Sequence, residues 1–483
     1  MPKQKSLKLN FVMNAILTMS SFIFPLITFP YVSRILLPVG TGKVNFATSL
    51  ISYFTMFAQL GIPTYGIRAC AKVRDDKEKL TKTAQELLII NLVMSAISYI
   101  VLFVLLFTVP RLQDDRMLYL IVSSNILLTS IGMEWLYKAL EQYTYITIRS
   151  IIFKFIALIA MFLLVHEQKD YVMYGGISIF AGCASNIFNF INVHKYISLK
   201  PLKHYDFKPH FQAVGVFFAM ACATTIYTHL DTVMLGFMAT DDDVGYYSAA
   251  VKIKTILVSI VTSLGTVLLP RASYYVEHNL MDDFRKITKK ALNFVFLLAV
   301  PLTVYFIIFA KQGIYFLSGS AYTGAIIPMQ VIMPTLVLIG VTNILGIQIL
   351  VPTGREKYVL YSEIVGAIVD LILNAILIPM CQSTGAAIGT LVAEFSVLLV
   401  QYIVLRKEVN SAFVSIKYYK IVIALIIAIC ASIWTLWLGL RSFLTLLVSA
   451  ILFFAVYGML LIMMKEKLVN EIFLQIITKF IKR

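Results

Sequence analysis

Charge is scarce in this 483-residue chain: only 14% of its residues are Asp, Glu, Lys or Arg, against about a quarter in an ordinary soluble domain. With 59% hydrophobic residues and a mean hydropathy of +0.85, the chain carries more apolar surface than a soluble core needs. A water-soluble globular protein is therefore excluded. Cysteine is sparse too. Cys70, Cys183, Cys222, Cys381 and Cys430 stand apart without CxxC spacing, which argues against a disulfide framework or a cysteine metal site. Of six histidines only His229 falls clearly inside an apolar run, so no zinc or catalytic constellation is visible and no cofactor is expected. A GxxxxGK[ST] phosphate loop is absent. The expected outer loops are short and leave no room for an external catalytic domain, so the chain does not read as an enzyme.

What is present in abundance is the apolar run of roughly 20 residues, the length of a membrane-crossing helix. Fourteen spans are expected, at about 11–33, 43–66, 84–109, 117–138, 145–165, 171–193, 211–238, 244–269, 290–310, 325–351, 358–378, 385–405, 419–439 and 442–464. The fold class is thus an all-α polytopic membrane protein. The first run follows a basic MPKQKSLKLN, but it contains Asn14, Pro25 and Pro30 and lacks a small-residue cleavage pattern, so it reads as a retained span. With the N-terminus in the cytoplasm, 32 of the 41 Lys and Arg fall in inner segments and 7 in outer ones. This predicts a multi-pass protein of the cytoplasmic membrane with both termini inside. The net charge of +16 is assigned to loops facing anionic membrane lipids, not to nucleic acid.

The chain also repeats itself. Gly42 is followed by Asn45, Phe46 and Ala47, and Gly245 by Ser248, Ala249 and Ala250. Leu60-Gly61 leads to Arg68-Ala69, and Leu264-Gly265 to Arg271-Ala272. DDKEKLTKTA from Asp75 then matches DDFRKITKKA from Asp282 at six of ten positions. Spans 1–6 and 7–12 start on the same side, which relates them by a pseudo-twofold axis along the membrane normal. The expected organisation is an N-terminal lobe (1–194), a basic cytoplasmic linker (195–210), a C-terminal lobe (211–406) and two added helices with a cytoplasmic tail (407–483).

Polar residues at helical spacing mark the faces that avoid lipid. Span 1 carries Asn14, Thr18, Ser21 and Thr28; span 2 carries Asn45, Ser49, Ser52 and Gln59; span 7 carries Thr224, Thr225, Thr228, Asp231 and Thr232; span 8 carries Ser248, Lys252, Thr255, Ser259, Thr262 and Thr266. Ser and Thr commonly bond between membrane helices, yet four stripes in repeat-related register point to a shared water-filled path. Arg34 and Lys252 make that path cationic and suited to an anion. Two alternatives stand beside this reading: Asp231 pairs with Lys252 or Lys254 as structural glue, or Arg34 snorkels to the outer interface. Glu363 and Asp370 on one face of span 11 and Glu394 on span 12 are candidates for ion coupling or for helix packing. Glu134, Lys138 and Glu141 share a helical face at i, i+4 and i+7, and Arg149 and Lys154 follow where they could guide a phosphate from the inner leaflet.

PYVSRILLPVGTGKVNFATS (Pro30 to Ser49), MEWLYKALEQYTYITIRS (Met133 to Ser150) and LDTVMLGFMATDDDVGYYSAAVKI (Leu230 to Ile253) together resemble the oligosaccharide flippases of polysaccharide biosynthesis. These are the O-antigen and capsule repeat-unit flippases, often called Wzx, of the multidrug/oligosaccharidyl-lipid/polysaccharide superfamily. The resemblance spans essentially the whole chain; position 134 departs from it, being Glu where the family more often has Asp. It implies a V-shaped transporter whose lumen is lined by spans 1, 2, 7 and 8. The implied substrate is an undecaprenyl-pyrophosphate-linked oligosaccharide, with polymerase and glycosyltransferases as possible partners. Arg34 and Lys252 would then meet the pyrophosphate. Asp231, Asn14, Asn45, Ser49, Gln59, Thr228 and Thr255 would line the path, and Arg68, Arg271, Arg149 and Lys154 would stand at the inner gate. A drug or cation exporter of the same superfamily is the rival reading, and a non-transporting glycan-assembly protein a further one.

Overall fold

The computed structural model describes residues 7–471, and among them the regular structure is entirely helical. It separates into two compact units that meet at Gly245 and Tyr246.

The first unit opens with α1 (Leu7–Gln59), 53 residues long. At about 1.5 Å per residue this is far more than one bilayer core of about 30 Å. The helix breaks where Leu37 adopts φ 57° and ψ −178°. Pro38 begins the next segment, its missing N–H falling where a helix start leaves that donor unpaired anyway. Gly42 lies just beyond. A Cβ there would come within 1.8 Å of the Asp241 carbonyl oxygen, so only glycine fits.

Span 2 was expected to run to residue 66, but α1 stops at Gln59 because Leu60 (φ 45°) and Gly61 (φ 72°) are left-handed. A separate α2 (Ile62–Lys72) follows and carries Arg68 on a helix instead of a loop. Asp76 then caps α3 (Lys77–Thr108), accepting from the Glu78 and Lys79 amides at 3.1 Å each.

Span 4 is also interrupted. α4 (Arg116–Gly132) and α5 (Glu134–Ala139) are separated by Met133 at φ 43°. Glu141 (φ 57°) lies off the helix, so the expected face of Glu134, Lys138 and Glu141 does not form. Glu134 holds Lys138 at 2.8 Å, while Glu141 takes Arg74 at 2.8 Å. The unit continues through α6 (Tyr143–Leu164), α7 (Tyr171–Ile179), a π segment at Phe180–Ala184, α8 (Asn186–Asn192) and α9 (Lys208–Met238). Lys43 reaches Asp115 at 2.9 Å, and Asp115 also accepts from the Tyr171 hydroxyl at 2.6 Å. Arg111 pairs with Asp241 and donates to the Gly236 carbonyl at 2.7 Å.

The unit boundary falls inside α10 (Asp241–Glu277). The second unit adds α11 (Met281–Ile308), α12 (Ala310–Ser318), α13 (Ile326–Ile332), α14 (Thr335–Asn343), α15 (Glu356–Val414), α16 (Tyr418–Ile433) and α17 (Ser442–Met463). α15 is 59 residues long and breaks at Gln382 (φ 45°, ψ −126°). Its arms fold back on each other, since Gln401 Nε2 donates to Ser362 Oγ at 3.0 Å and a Cβ on Gly385 would lie 2.3 Å from the Leu377 carbonyl oxygen. Leu292, Val295, Tyr305, Leu345 and Phe453 belong to the apolar core of this unit, and the Tyr305 hydroxyl is held by Ser449 at 2.8 Å. By length and composition, eleven helices among the described residues can cross a membrane, or twelve if the bent pair around Pro334 is one span. The fourteen expected from sequence requires α1 and α15, each broken midway, to cross twice.

Candidate functional site

A cavity of about 460 Å³ opens within the first unit where the second arm of α1, the start of α2, α4 and α9 converge. Its polar wall is Ser52, Thr55, Gln59, Thr64, Asn125, Thr224, Thr225 and His229, and Phe217, Met56 and Met220 supply apolar faces. Among the described residues its lining includes no Lys, Arg, Asp or Glu. Neutral hydroxyl, amide and imidazole groups beside an aromatic ring suit a polyhydroxylated ligand, which needs both donors and acceptors and offers C–H faces.

The wall is held from behind. Asn125 Nδ2 donates to Thr55 Oγ1 at 3.2 Å, and His229 Nδ1 lies 3.2 Å from Ser49 Oγ. Gln59 is buried and donates to Ser130 Oγ at 2.9 Å, which in turn meets Ser95 Oγ at 2.7 Å. Asn91 Nδ2 caps the carbonyls of Ala58 and Gln59 at 3.0 and 3.3 Å, fixing the end of α1 just before it turns.

Of the stripe residues expected from sequence, Ser52, Gln59, Thr224 and Thr225 line this cavity, and Ser49 supports it through His229. Thr228 is exposed one turn from Thr224 and bonds its carbonyl at 2.7 Å. Asn45 is half-buried, Asn14 exposed and Asp231 buried, none of them in the lining. Arg34 is exposed and turns back to the Pro30 carbonyl. Arg68 is exposed on α2. Arg149 and Lys154 are both buried within the unit. Arg149 reaches Asn186 Oδ1 at 3.3 Å, and Lys154 donates to Ser20 and Ser21 at 2.8 and 3.1 Å.

The other expected residues belong to the second unit. Lys252 is half-buried, Thr255 is exposed and bonds the Val251 carbonyl at 2.8 Å, and Arg271 is exposed with Nε on the Tyr275 hydroxyl at 2.9 Å. Asp370 and Glu394 are buried. Asp370 and Asn374 both approach Gly389, where a Cβ would sit 3.2 and 2.3 Å from their Oδ1 atoms. Glu363 lies two turns before Asp370 and is half-buried. His229, Asn125 and Thr55 were not singled out as site residues by sequence reasoning. A lone Asn or His in an apolar run was the available signal, but only the packing of α4 and α9 on α1 aims them at one space.

These features define a multi-pass helical membrane protein with a polar cavity. Over 93% of this chain and 98% of the other, it superimposes on lipid II flippase MurJ in an inward closed conformation with a TM-score of 0.70 at 17% identity. It also matches an inward-facing multidrug resistance MATE family transporter of the MOP superfamily, with a TM-score of 0.63 and 11% identity over 84% and 99% of the two chains. The polysaccharide biosynthesis protein family model matches residues 7–276, and the MatE model matches residues 217–376. The chain belongs to the polysaccharide biosynthesis protein family. Among curated proteins it is 25% identical over 391 residues to the Escherichia coli (strain K12) protein named "Putative O-antigen transporter", covering 80% of this chain and 94% of that one. The resemblance drawn from the three motifs is borne out, and these relatives bear the names of transporters and flippases, in line with a chain that is not an enzyme.

Proposed function

We propose that the chain is a flippase for undecaprenyl-pyrophosphate-linked oligosaccharide repeat units. It would carry them from the inner to the outer leaflet of the cytoplasmic membrane, by alternating access, for surface polysaccharide biosynthesis. The observation that carries this reading is the family match over residues 7–276. The neutral hydroxyl- and amide-lined cavity of the first unit supports it, because that lining suits sugars. In this reading Arg34 and Lys252 meet the pyrophosphate, since an anion crossing the membrane needs cationic partners. Both termini lie in the cytoplasm, the repeat halves 1–194 and 211–406 act as the moving lobes, and the prenyl tail stays in lipid.

The MatE match over residues 217–376 favours a second reading, an exporter of drugs or cations. Such a protein wants an acid-rich pocket, and among the described residues no carboxylate lines the cavity. The two readings part in proteoliposomes given a fluorescent prenyl-pyrophosphate oligosaccharide. The wild type exposes the glycan at the far leaflet, and Arg34→Ala or Lys252→Ala slows this by roughly tenfold or more, the worth of a lost charge-assisted phosphate contact. Variants as fast as wild type remove those residues from the site. A wild type that moves small organic cations but not the lipid overturns the flippase reading.

A further inference from the structure

The repeated decapeptide meets two different covers. In the first unit the start of α3 is roofed by the linker. Gln85 Nε2 donates to the Ser198 and Lys200 carbonyls at 2.6 and 2.9 Å, and Glu86 accepts from the Asp206 amide at 2.7 Å and bonds His210 Nε2 at 2.9 Å. In the repeat register Thr81 and Lys82 correspond to Thr288 and Lys289, whereas Gln85 and Glu86 correspond to Leu292 and Asn293. The second copy therefore lacks the groups that hold the linker down. There Asn293 Nδ2 donates to Glu466 Oε1 at 2.9 Å and Lys290 pairs with Glu471 at 2.8 Å, and around Thr288 lies a cavity of about 540 Å³.

The chemistry of that cavity is one-sided. Arg285, Lys286, Lys289 and Arg355 face it, with hydroxyls from Thr288 and Ser411. Among the described residues Glu408 is the one carboxylate in the lining, and Arg355 engages both its oxygens at 2.8 Å, so this arginine is neutralised and fixed. Asp282 and Asp283 reach Arg285 at 3.7 Å and Lys286 at 3.1 Å from the exposed rim. What remains is a hydroxyl-lined hollow in which, among the described residues, cations outnumber the neighbouring carboxylates by one, with Lys289 the fourth cation, beside apolar Phe284, Val409 and Ala412. A hollow of this kind fits a group with a compact oxyanion and a short apolar neck. The charge asymmetry of the loops places this end of α11 at the cytoplasmic leaflet, where anionic headgroups are at hand.

We propose that this cavity binds an anionic phosphate-bearing group, a phospholipid headgroup or free phosphate, and that it is a site separate from the transport path. The inference does not depend on which substrate is moved, and binding is read without translocation, so its failure leaves the flippase reading untouched. The test uses the full chain in detergent and follows thermal unfolding against three ligands in separate arms: short-chain phosphatidylglycerol, short-chain phosphatidylcholine and inorganic phosphate. In the wild type, phosphatidylglycerol or phosphate raises the melting temperature saturably and phosphatidylcholine does not. In Arg285→Gln/Lys289→Gln the half-saturating concentration rises roughly tenfold, from the loss of two cations near the anion. It stays unchanged in Lys77→Gln/Lys79→Gln, exposed lysines of the repeat-related turn. Response to phosphatidylglycerol alone identifies the source as lipid; an equal response to phosphate identifies free phosphate. Arg285→Lys/Lys289→Arg, which keeps the charges, restores wild-type binding and separates a charge effect from misfolding. Identical curves for the Gln variant and wild type, or phosphatidylcholine acting as strongly as phosphatidylglycerol, overturn the proposal.

Discussion

Two copies of one sequence pattern meet different fates in this protein, and the clearest case is the dipeptide Leu-Gly. Leu60-Gly61 breaks its helix, both residues turning left-handed, and a Cβ on Gly61 would lie 2.5 Å from the Phe217 backbone carbon. Leu264-Gly265 lies inside the continuous α10. There Gly265 packs against the Asn343 side chain, and its carbonyl accepts from Gln348 at 2.5 Å. A glycine permits the turn but does not impose it; the neighbours decide. The same holds one element later, where the start of α3 holds the linker through Glu86, whereas at the start of α11 Asn293 holds Glu466 and a cationic hollow lies around Thr288.

Substituting the two glycines tests the first contrast most severely. Gly61→Ala adds a left-handed alanine against immovable backbone and should cost about 3 kcal/mol or more in denaturant unfolding in detergent. Gly265→Ala presses on a side chain that can swing away, and its gain in helix propensity offsets part of the strain, for a net loss of about 1 kcal/mol. Equal losses would mean that the two sites do not differ as their packing indicates.

The second contrast is broken by Glu86→Ala, which leaves the Asp206 amide and His210 without their shared acceptor. A loss of about 1–3 kcal/mol is expected, together with faster tryptic cleavage at Lys203. Unchanged cleavage would show that Glu86 does not hold the linker. The smallest effect concerns the cap of α3. Hydrogen bonds from the Lys79 amide and ammonium, then from the Glu78 amide, hold the Asp76 carboxyl below its ordinary value of 3.8. A carboxyl depressed in the fold stabilises above the unfolded value, and that contribution is lost as pH falls through the folded one. Hydrogen exchange at the first turn of α3 should accelerate below about pH 3.8 beyond the intrinsic trend, and Asp76→Asn should abolish that extra step.

The amino-acid sequence alone determined the membrane class, the approximate spans and the internal repeat. These depend on apolar run length, loop charge and residue identity, which are local and additive along the chain. It also marked Gln59 and Ser49 on a polar stripe that does reach the cavity. It did not determine the breaks at Leu37, Leu60 and Met133, because ordinary apolar residues become left-handed there only under pressure from packing. Nor could it show that Asn125, Thr55 and His229 share one wall, or that Lys154 spends its charge on Ser20 and Ser21. Those facts depend on which faces of distant helices meet, and only the tertiary structure brings residues 70 to 180 positions apart into the same few ångströms.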